Sequence, residues 1–185
     1  MSDWNGSTAL IVVDVQKGFD DDEHWGPRNN PECEENIGLL IDAWRKQGWP
    51  LVYVRHDSTL ASSPLAPKAS GNKFKDVLSG KPDLLVVKNV HSAFYGDPNL
   101  DAWLKLYKIT GVAICGIQTN LCCETTARMA SDLGYEVLFV GDATYTFDFV
   151  TETHKVYRAR EISRFSQLSI ESDFGTVVRT SDLVT

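Results

Sequence analysis

The sequence predicts a single-domain, three-layer α/β/α fold, in which helices cover both faces of a mostly parallel sheet of about six strands. Short apolar runs rich in β-branched residues alternate along the chain with segments whose apolar residues recur every three or four positions. This alternation is typical of strand–helix–strand units, whose crossovers join parallel strands. The 185 residues fit one domain of common size, so we expect residues 1–185 to contain no internal boundary.

The first half of the chain contains three predicted strands. The first is a continuous apolar run, as expected of a central strand that is covered on both faces. Clusters of Asp, Gly, Pro and Ser predict the loops, and Gly48 is a typical helix end. In chain order the pattern predicts a strand at 8–15, a long ordered loop rather than a helix at 16–31, a helix bearing Ile37, Leu40, Ile41 and Trp44, a strand at 51–55, a long surface loop at 57–83 with at most one short helix, and a strand at 84–87.

The second half completes the alternation. Its strands are again short apolar runs, and its helices are recognised by apolar residues at helical spacing. The pattern predicts a helix bearing Leu100, Trp103, Leu104 and Tyr107, a strand at 112–115, a helix bearing Leu121, Thr125, Met129 and Leu133, a strand at 137–140, a turn at 141–144, a helix from about 151 to 166, and a strand near 176–179.

Cys122 is the leading candidate for a nucleophile. Thr119 and Asn120 are good N-cap residues, so Cys122 is predicted in the first turn of the helix that follows the strand at 112–115. The free N–H groups and dipole of a helix start favour an anion, which predicts a lowered thiol pKa and a thiolate at neutral pH. The alternative is that Cys122 is buried and serves as a small apolar side chain. This is the role that we expect for Cys33 and Cys115.

Three predicted strands end near residues of complementary chemistry. Asp14 ends the first, Lys88 ends the third, and Cys122 follows the fourth after Gly116. The carboxyl ends of parallel strands lie at one edge of the sheet, where α/β proteins bind ligands. A carboxylate could take the thiol proton, and a lysine cation would stabilise developing negative charge. For Asp14 alone, a turn or N-cap role remains the alternative.

Several motifs together carry a resemblance to a known family. They are residues 9–19 around Asp14, Lys88 with residues 92–94, residues 116–122, and Gly134-Tyr135 with Asp142-Ala143. With these motifs the chain resembles the isochorismatase-like cysteine hydrolases, which have a Rossmann-like fold and include nicotinamidases and N-carbamoylsarcosine amidase. The resemblance covers almost the whole chain. Cys123 departs from the family pattern, which usually has valine after the nucleophile.

The resemblance assigns roles to the residues at the sheet edge. It implies a catalytic triad of Asp14, Lys88 and Cys122. It also implies a non-proline cis peptide bond between Ile117 and Gln118, and an oxyanion hole formed by the backbone N–H groups of Gln118 and Cys122. The resemblance implies no cofactor.

A metal is not expected. Nicotinamidases carry an aspartate and histidines after the second strand that bind a divalent cation, but here the corresponding residues are Arg55-His56-Asp57-Ser58. The ligand set is therefore incomplete, although His56 remains a candidate to face the site.

Substrate-binding candidates come from the loops near the strand ends. Phe19, Trp25, Phe94 and Tyr95 are predicted there and would suit a small, flat or apolar substrate, unless they only anchor their loops. Together with His56 they complete the predicted site.

The composition indicates which partners and which cellular compartment to expect. The net charge of −7 argues against nucleic acid and anionic membranes as partners and leaves a small-molecule substrate. The apolar runs are far shorter than the roughly 20 residues that cross a bilayer. The 4 cysteines show no paired spacing and no apolar leader precedes the first strand, so we expect a reducing cytoplasm.

Assembly is predicted from aromatic residues and from the resemblance. Trp44, Trp49, Trp103 and Tyr107 offer more aromatic surface than a monomer of this size readily covers, unless these side chains face the sheet. The resemblance also implies that the chains assemble as homodimers or larger oligomers. We therefore expect a homodimer or homotetramer.

The predicted reaction is hydrolysis of a C–N amide or ureido bond of a small molecule through a thioester on Cys122. Two alternatives stay open. One is vinyl-ether hydrolysis of isochorismate, which is acid-catalysed in this family and needs no thiol. The other is a catalytically silent binding protein of the same fold.

Overall fold

The structure of the chain, a computed structural model, describes residues 6–184 and is built on one six-stranded sheet. The strands are β1 (Thr8–Val13), β2 (Leu51–His56), β3 (Leu84–Lys88), β4 (Gly111–Ile117), β5 (Glu136–Tyr145), β6 (Phe149–Val150), β7 (Val156–Tyr157) and β8 (Thr176–Val178). The α-helices are α1 (Asp22–Trp25), α2 (Cys33–Gln47), α3 (Leu100–Leu106), α4 (Glu124–Asp132) and α5 (Ala159–Asp173).

The six-stranded sheet has the order β3-β2-β1-β4-β5-β8, and every neighbouring pair in it is parallel. All six residues of β1 are buried, and its five apolar residues alternate between two cores. Ile11 and Val13 pack in the core that includes residues of α3, α4 and α5, whereas Leu10 and Val12 pack in the core that includes α2. The predicted three-layer fold is therefore confirmed.

Helix α2 forms where its apolar spacing predicts it. Ile37, Leu40, Ile41 and Trp44 are at most 1% exposed, and Gly48 ends the helix in the left-handed region at φ 66°. The Trp44 indole N–H donates to the Thr8 carbonyl oxygen at 3.1 Å. The structure thus corrects one part of the assembly argument, because Trp44 is a core side chain and offers no surface.

Other aromatic and apolar side chains do remain on the surface. Trp103 is only partly buried, and Tyr107 is 61% exposed. Phe149 and Tyr157 on the β6–β7 hairpin and Phe165 on α5 are exposed as well. Among residues 6–184, no helix combines the length and the apolar character that a bilayer crossing requires.

The segment 16–31 contains helices, contrary to the predicted loop. A 3-10 helix spans Lys17–Asp20, and α1 follows it. The Asp21 carboxylate accepts a hydrogen bond from the His24 N–H at 3.1 Å, which caps the first turn of α1. The loop at 57–83 has one 3-10 helix, Ser70–Asn72, as the sequence suggests.

The largest correction concerns residues 141–166. The predicted turn at 141–144 belongs to β5, which pairs with β4 again beyond a register shift, with Thr144 opposite Gly116. The chain then forms the antiparallel β6–β7 hairpin, so α5 begins at Ala159 instead of near residue 151. The Asp148 carboxylate accepts the Ala159 N–H at 2.7 Å and fixes this start.

Candidate active site

Asp14, Lys88 and Cys122 meet at the carboxyl edge of the sheet. The Lys88 Nζ lies 2.5 Å from Asp14 Oδ2 and 3.3 Å from the Cys122 Sγ. The side chains of Asp14 and Lys88 have no exposed surface. Because the ends of β1 and β3 and the segment after β4 converge here, the structure brings together the three residues predicted for the triad.

Backbone geometry turns Asp14 into the site. Its φ of 53° lies in the left-handed region, which aspartate tolerates better than most residues. The Asp14 N–H donates to the Val54 carbonyl at 2.9 Å, which holds the turn against β2. One carboxylate oxygen, Oδ1, is buried without a hydrogen-bond partner among the described residues. Asp14 therefore keeps a free acceptor beside the thiol.

Gly116 lets β4 approach the end of β1. Its φ is 125°, and a Cβ at this position would lie 2.0 Å from the Val13 carbonyl oxygen. Only glycine fits here. One residue further along the chain, the peptide bond between Ile117 and Gln118 is cis, as the resemblance implies.

Cys122 lies in a π-helical segment, Thr119–Cys123, that precedes α4. Thr119 and Asn120 do not cap it. The hydroxyl of Thr119 instead donates to Thr144 Oγ1 at 2.9 Å, and Asn120 Oδ1 accepts a hydrogen bond from Thr146 at 2.5 Å. The predicted apolar face is also displaced, because Leu121 and Leu133 are 38% and 40% exposed. The side chains that face the core are those of Cys122, Cys123, Thr126, Ala127 and Ala130.

The surroundings of Cys122 raise the pKa of its thiol. Burial, reinforced by the nearby Asp14 carboxylate and opposed by the Lys88 ammonium, raises the pKa of Cys122 to about 12. This corrects the expectation of a thiolate stabilised by a helix start. Cys122 is 8% exposed, whereas the other three cysteines, Cys33, Cys115 and Cys123, have no exposed surface. Among the four thiols, only Cys122 is open to a substrate.

His56 completes the surroundings of the Lys88 ammonium. Its Nδ1 lies 3.2 Å from the Lys88 Nζ, so the three N–H bonds of Lys88 have three partners in Asp14, Cys122 and His56. Burial, followed by the charge of Lys88, holds the pKa of His56 below its ordinary value. A neutral imidazole can accept the hydrogen bond from Lys88.

The same three acceptors form the best cluster for a metal. Ligand atoms of Asp14, His56 and Cys122 lie within 4.8 Å of one another. The Lys88 ammonium contacts all three, so a divalent ion would have to displace a buried cation from the carboxylate. The donor set therefore fits the lysine better than a metal.

A small cavity of about 120 Å³ opens onto the Cys122 thiol. Its lining residues are Asp14, Phe19, Trp25, His56, Leu65, His91, Gln118, Leu121 and Cys122. The structure thus places three predicted substrate-binding residues, Phe19, Trp25 and His56, at the site. Gln118, predicted for the oxyanion hole, also lines the cavity.

Phe94 and Tyr95 are not part of this lining. A 3-10 turn, Ala93–Tyr95, begins at Ser92, whose hydroxyl accepts the Phe94 N–H at 3.3 Å. The turn sends Phe94 into the core, where it stacks on Tyr135 with ring centroids 5.9 Å apart, and leaves Tyr95 72% exposed. The structure corrects both predictions.

Gln16 and Asn72 support the cavity and were not predicted. The buried Gln16 side chain donates to the carbonyls of His56 and Asn72 and accepts the His56 N–H. Asn72 in turn donates to the carbonyls of His56 and Leu65. These bonds place Leu65 and His56 beside the thiol. The only local signal is a polar residue two positions after Asp14, at the end of an apolar run.

Comparisons with known proteins agree with this geometry. The isochorismatase domain matches residues 8–170. The chain is 38% identical over 179 residues to the uncharacterized isochorismatase family protein YrdC of Bacillus subtilis, which covers 95% of this chain and 94% of that protein. It is 32% identical over 154 residues to nicotinamidase 3 of Arabidopsis thaliana, which covers 76% of this chain and 74% of that protein.

A solved structure shares the fold. The crystal structure of a protein described as a hydrolase of the isochorismatase family, from Chromobacterium violaceum, superposes with a TM-score of 0.92 and 30% identity over 100% of this chain and 95% of the other. Because the domain match spans most of the sequence and these proteins align over most of their own lengths, the chain belongs to the isochorismatase family of hydrolases.

Proposed function

We propose that the protein hydrolyses a C–N amide or ureido bond of a small molecule through a thioester on Cys122. The observation that carries the proposal is the buried contact of Lys88 with both Asp14 and the Cys122 thiol, at the base of a cavity that reaches the sulfur. A base, a cation and a nucleophile within reach of one another are what acyl transfer requires.

The first half-reaction forms the thioester. Asp14 takes the thiol proton as the Cys122 Sγ attacks the carbonyl carbon, which turns the carbonyl oxygen into an oxyanion. The backbone N–H groups of Gln118 and Cys122 are proposed to hold that oxyanion, and Lys88 stabilises the negative charge that develops on sulfur. The intermediate then collapses, the C–N bond breaks, and Asp14 returns the proton to the departing nitrogen.

The second half-reaction releases the acid. Asp14 takes a proton from water, whose oxygen attacks the thioester carbon. When this intermediate collapses, the C–S bond breaks, the carboxylic acid leaves, and the proton returns to Cys122. The raised pKa of the Cys122 thiol agrees with this sequence, because the proton moves to Asp14 only when sulfur attacks.

The similarity to a nicotinamidase supports an amide as the substrate. Vinyl-ether hydrolysis, the alternative within the family, would leave the contact of Lys88 with the Cys122 thiol without a chemical role. A silent binding protein would likewise have no use for the Asp14 Oδ1 atom, which has no hydrogen-bond partner within residues 6–184.

A nucleophile substitution tests the proposal. Wild type, Cys122→Ala and Cys123→Ala would be assayed for ammonia or amine released from a panel of small amides and ureido compounds. Cys123→Ala is the matched control, since it makes the same change one residue away at a thiol with no exposed surface. We expect Cys122→Ala to lose at least ~10³-fold in turnover and Cys123→Ala to retain it.

Trapping the intermediate gives an independent readout. Acid quench of wild type during turnover should yield an intact mass raised by the acyl group, with the adduct on Cys122 after peptide mapping. Amide hydrolysis retained by a folded Cys122→Ala variant would overturn the thioester mechanism.

A further inference from the structure

A second, larger cavity adjoins the reactive one. Its volume is about 500 Å³, compared with about 120 Å³ for the cavity at the thiol. Trp25, Gln118 and Leu121 line both cavities, and Phe147, Tyr157 and Ile162 are among the residues that line only the outer one. Binding sites for small molecules usually measure about 300–1,000 Å³. The inner cavity thus holds little more than the reacting group, and the rest of a substrate would extend outward.

A row of aromatic rings connects the two cavities. The Phe19 ring, in the inner cavity, lies 5.0 Å from Trp25, and the Trp25 ring lies 5.5 Å from Phe147 with only 21° between their planes. The Trp25 indole N–H donates to the Gly18 carbonyl at 2.8 Å, which fixes the ring shared by both cavities. The rings pack on one another and form an aromatic wall along the two cavities, which suits a flat apolar ligand.

Among the described residues, none that lines the outer cavity carries a positive charge. Asp148 is the one charged side chain among the described residues of its lining. Its carboxylate accepts from Arg158 at 2.6 Å and from the Ala159 N–H at 2.7 Å, and these bonds hold the pKa of Asp148 below its ordinary value. The lining therefore offers no cation that would pair with a carboxylate of the ligand.

We propose that the outer cavity binds a planar, apolar and uncharged part of the substrate. The substrate class is then amides in which an aromatic or similarly flat apolar group is joined to the scissile C–N bond. The identity of that bond rests on the proposed function, whereas occupation of the outer cavity is measured by binding alone.

Binding to a variant without the nucleophile tests this proposal. Titration calorimetry with Cys122→Ala would compare acetamide, 2-naphthamide and 6-carboxy-2-naphthamide. We expect 2-naphthamide to bind at least tenfold more tightly than either of the other two. Affinities equal within twofold would overturn the proposal, and so would tighter binding of the carboxylated compound.

A substitution that fills the outer cavity tests where the aromatic group of the ligand binds. Ile162→Trp places a large ring in this cavity, and Leu168→Trp makes a matched change at a position on the same helix that is 51% exposed. In the Cys122→Ala background, Ile162→Trp should weaken 2-naphthamide at least tenfold, whereas Leu168→Trp should leave its affinity within twofold. Unchanged affinity in a folded Ile162→Trp variant would refute the proposed location. If that variant does not fold, Tyr157→Ala on the exposed hairpin replaces it, with an expected loss of at least threefold.

The proposed hydrolysis and the proposed substrate class can be refuted independently. If wild type releases no amine or ammonia from any amide, the proposed hydrolysis is wrong, but the calorimetric comparison still decides what the outer cavity binds. If amides are hydrolysed while 2-naphthamide shows no preference over acetamide in binding, only the substrate class is wrong.

Discussion

Replacing Asp14 by Asn should make the Cys122 thiol more reactive toward alkylating agents while it abolishes turnover. Asparagine keeps the shape of the side chain and tolerates the left-handed backbone at this position, where φ is 53°. The carboxylate is one cause of the raised pKa of Cys122, so its removal lowers that pKa. The Lys88 ammonium then stabilises the thiolate without competition from a second anion.

The size of the effect follows from the distance between the two groups. The ligand atoms of Asp14 and Cys122 lie within 4.8 Å of each other. Two unit charges at that separation repel by roughly 3.5 kcal/mol at an effective dielectric constant of about 20, which corresponds to about 2.5 pH units. The fraction of Cys122 present as thiolate would therefore increase ~300-fold at pH 8. Because nucleophilicity falls as thiol pKa falls, the net gain in alkylation rate is about 20-fold.

The assay is iodoacetamide labelling over pH 6–10, with the modified peptide quantified for Cys122. Asp42→Asn is the control, since it removes the same charge from an exposed position of α2. Turnover of Asp14→Asn should fall at least ~100-fold, because the general base is lost. Labelling of Asp14→Asn that is slower than, or equal to, that of wild type would show that Asp14 does not hold the proton on the thiol.

Three further predictions concern stability and assembly. Lys88→Met should lower the free energy of unfolding in urea by about 3–5 kcal/mol, because the buried Asp14 carboxylate loses its cation. Lys105→Met, at an exposed ion pair, should lower it by less than about 1 kcal/mol. Equal losses in the two variants would contradict this prediction. Gly116→Ala should lose cooperative thermal unfolding by circular dichroism, since its Cβ would lie 2.0 Å from the Val13 carbonyl oxygen, and a wild-type melting curve would refute it. Light scattering at micromolar concentration should give a dimer or tetramer, and a mass near 20.6 kDa would show that expectation wrong.

The sheet and the meeting of the triad could be predicted because their signals are local. Each central strand is a short apolar run, and parallel strands bring their carboxyl ends to one edge whatever the loops do. The positions of Asp14 and Lys88 at the ends of such runs were therefore sufficient to place them together. The helix at 33–47 was equally clear, because its apolar spacing and Gly48 agree.

Other features depended on contacts that the sequence does not display. The sequence placed Asp14 near the cysteine but did not show how deeply the thiol is buried, and burial is the largest cause of its raised pKa, so the direction of the Cys122 pKa shift was predicted wrongly. The start of α5 depends on Asp148, eleven positions earlier than its partner Ala159. Trp25 and Phe94 are both aromatic residues of predicted loops, and only their hydrogen-bonded surroundings send one to the cavity and the other to the core.

The β6–β7 hairpin stands apart from the six-stranded sheet, and its four strand residues, Phe149, Val150, Val156 and Tyr157, are 41–61% exposed. Substitutions at exposed positions usually change stability by less than about 0.5 kcal/mol. The residues that hold Asp14, Lys88 and Cys122 in place belong to the sheet and to other loops. Substitutions at these four positions should thus leave the geometry of Asp14, Lys88 and Cys122 unchanged. Because Phe149 and Tyr157 line the cavity proposed to bind substrate, we expect changes at these positions to alter selectivity at little cost in folding.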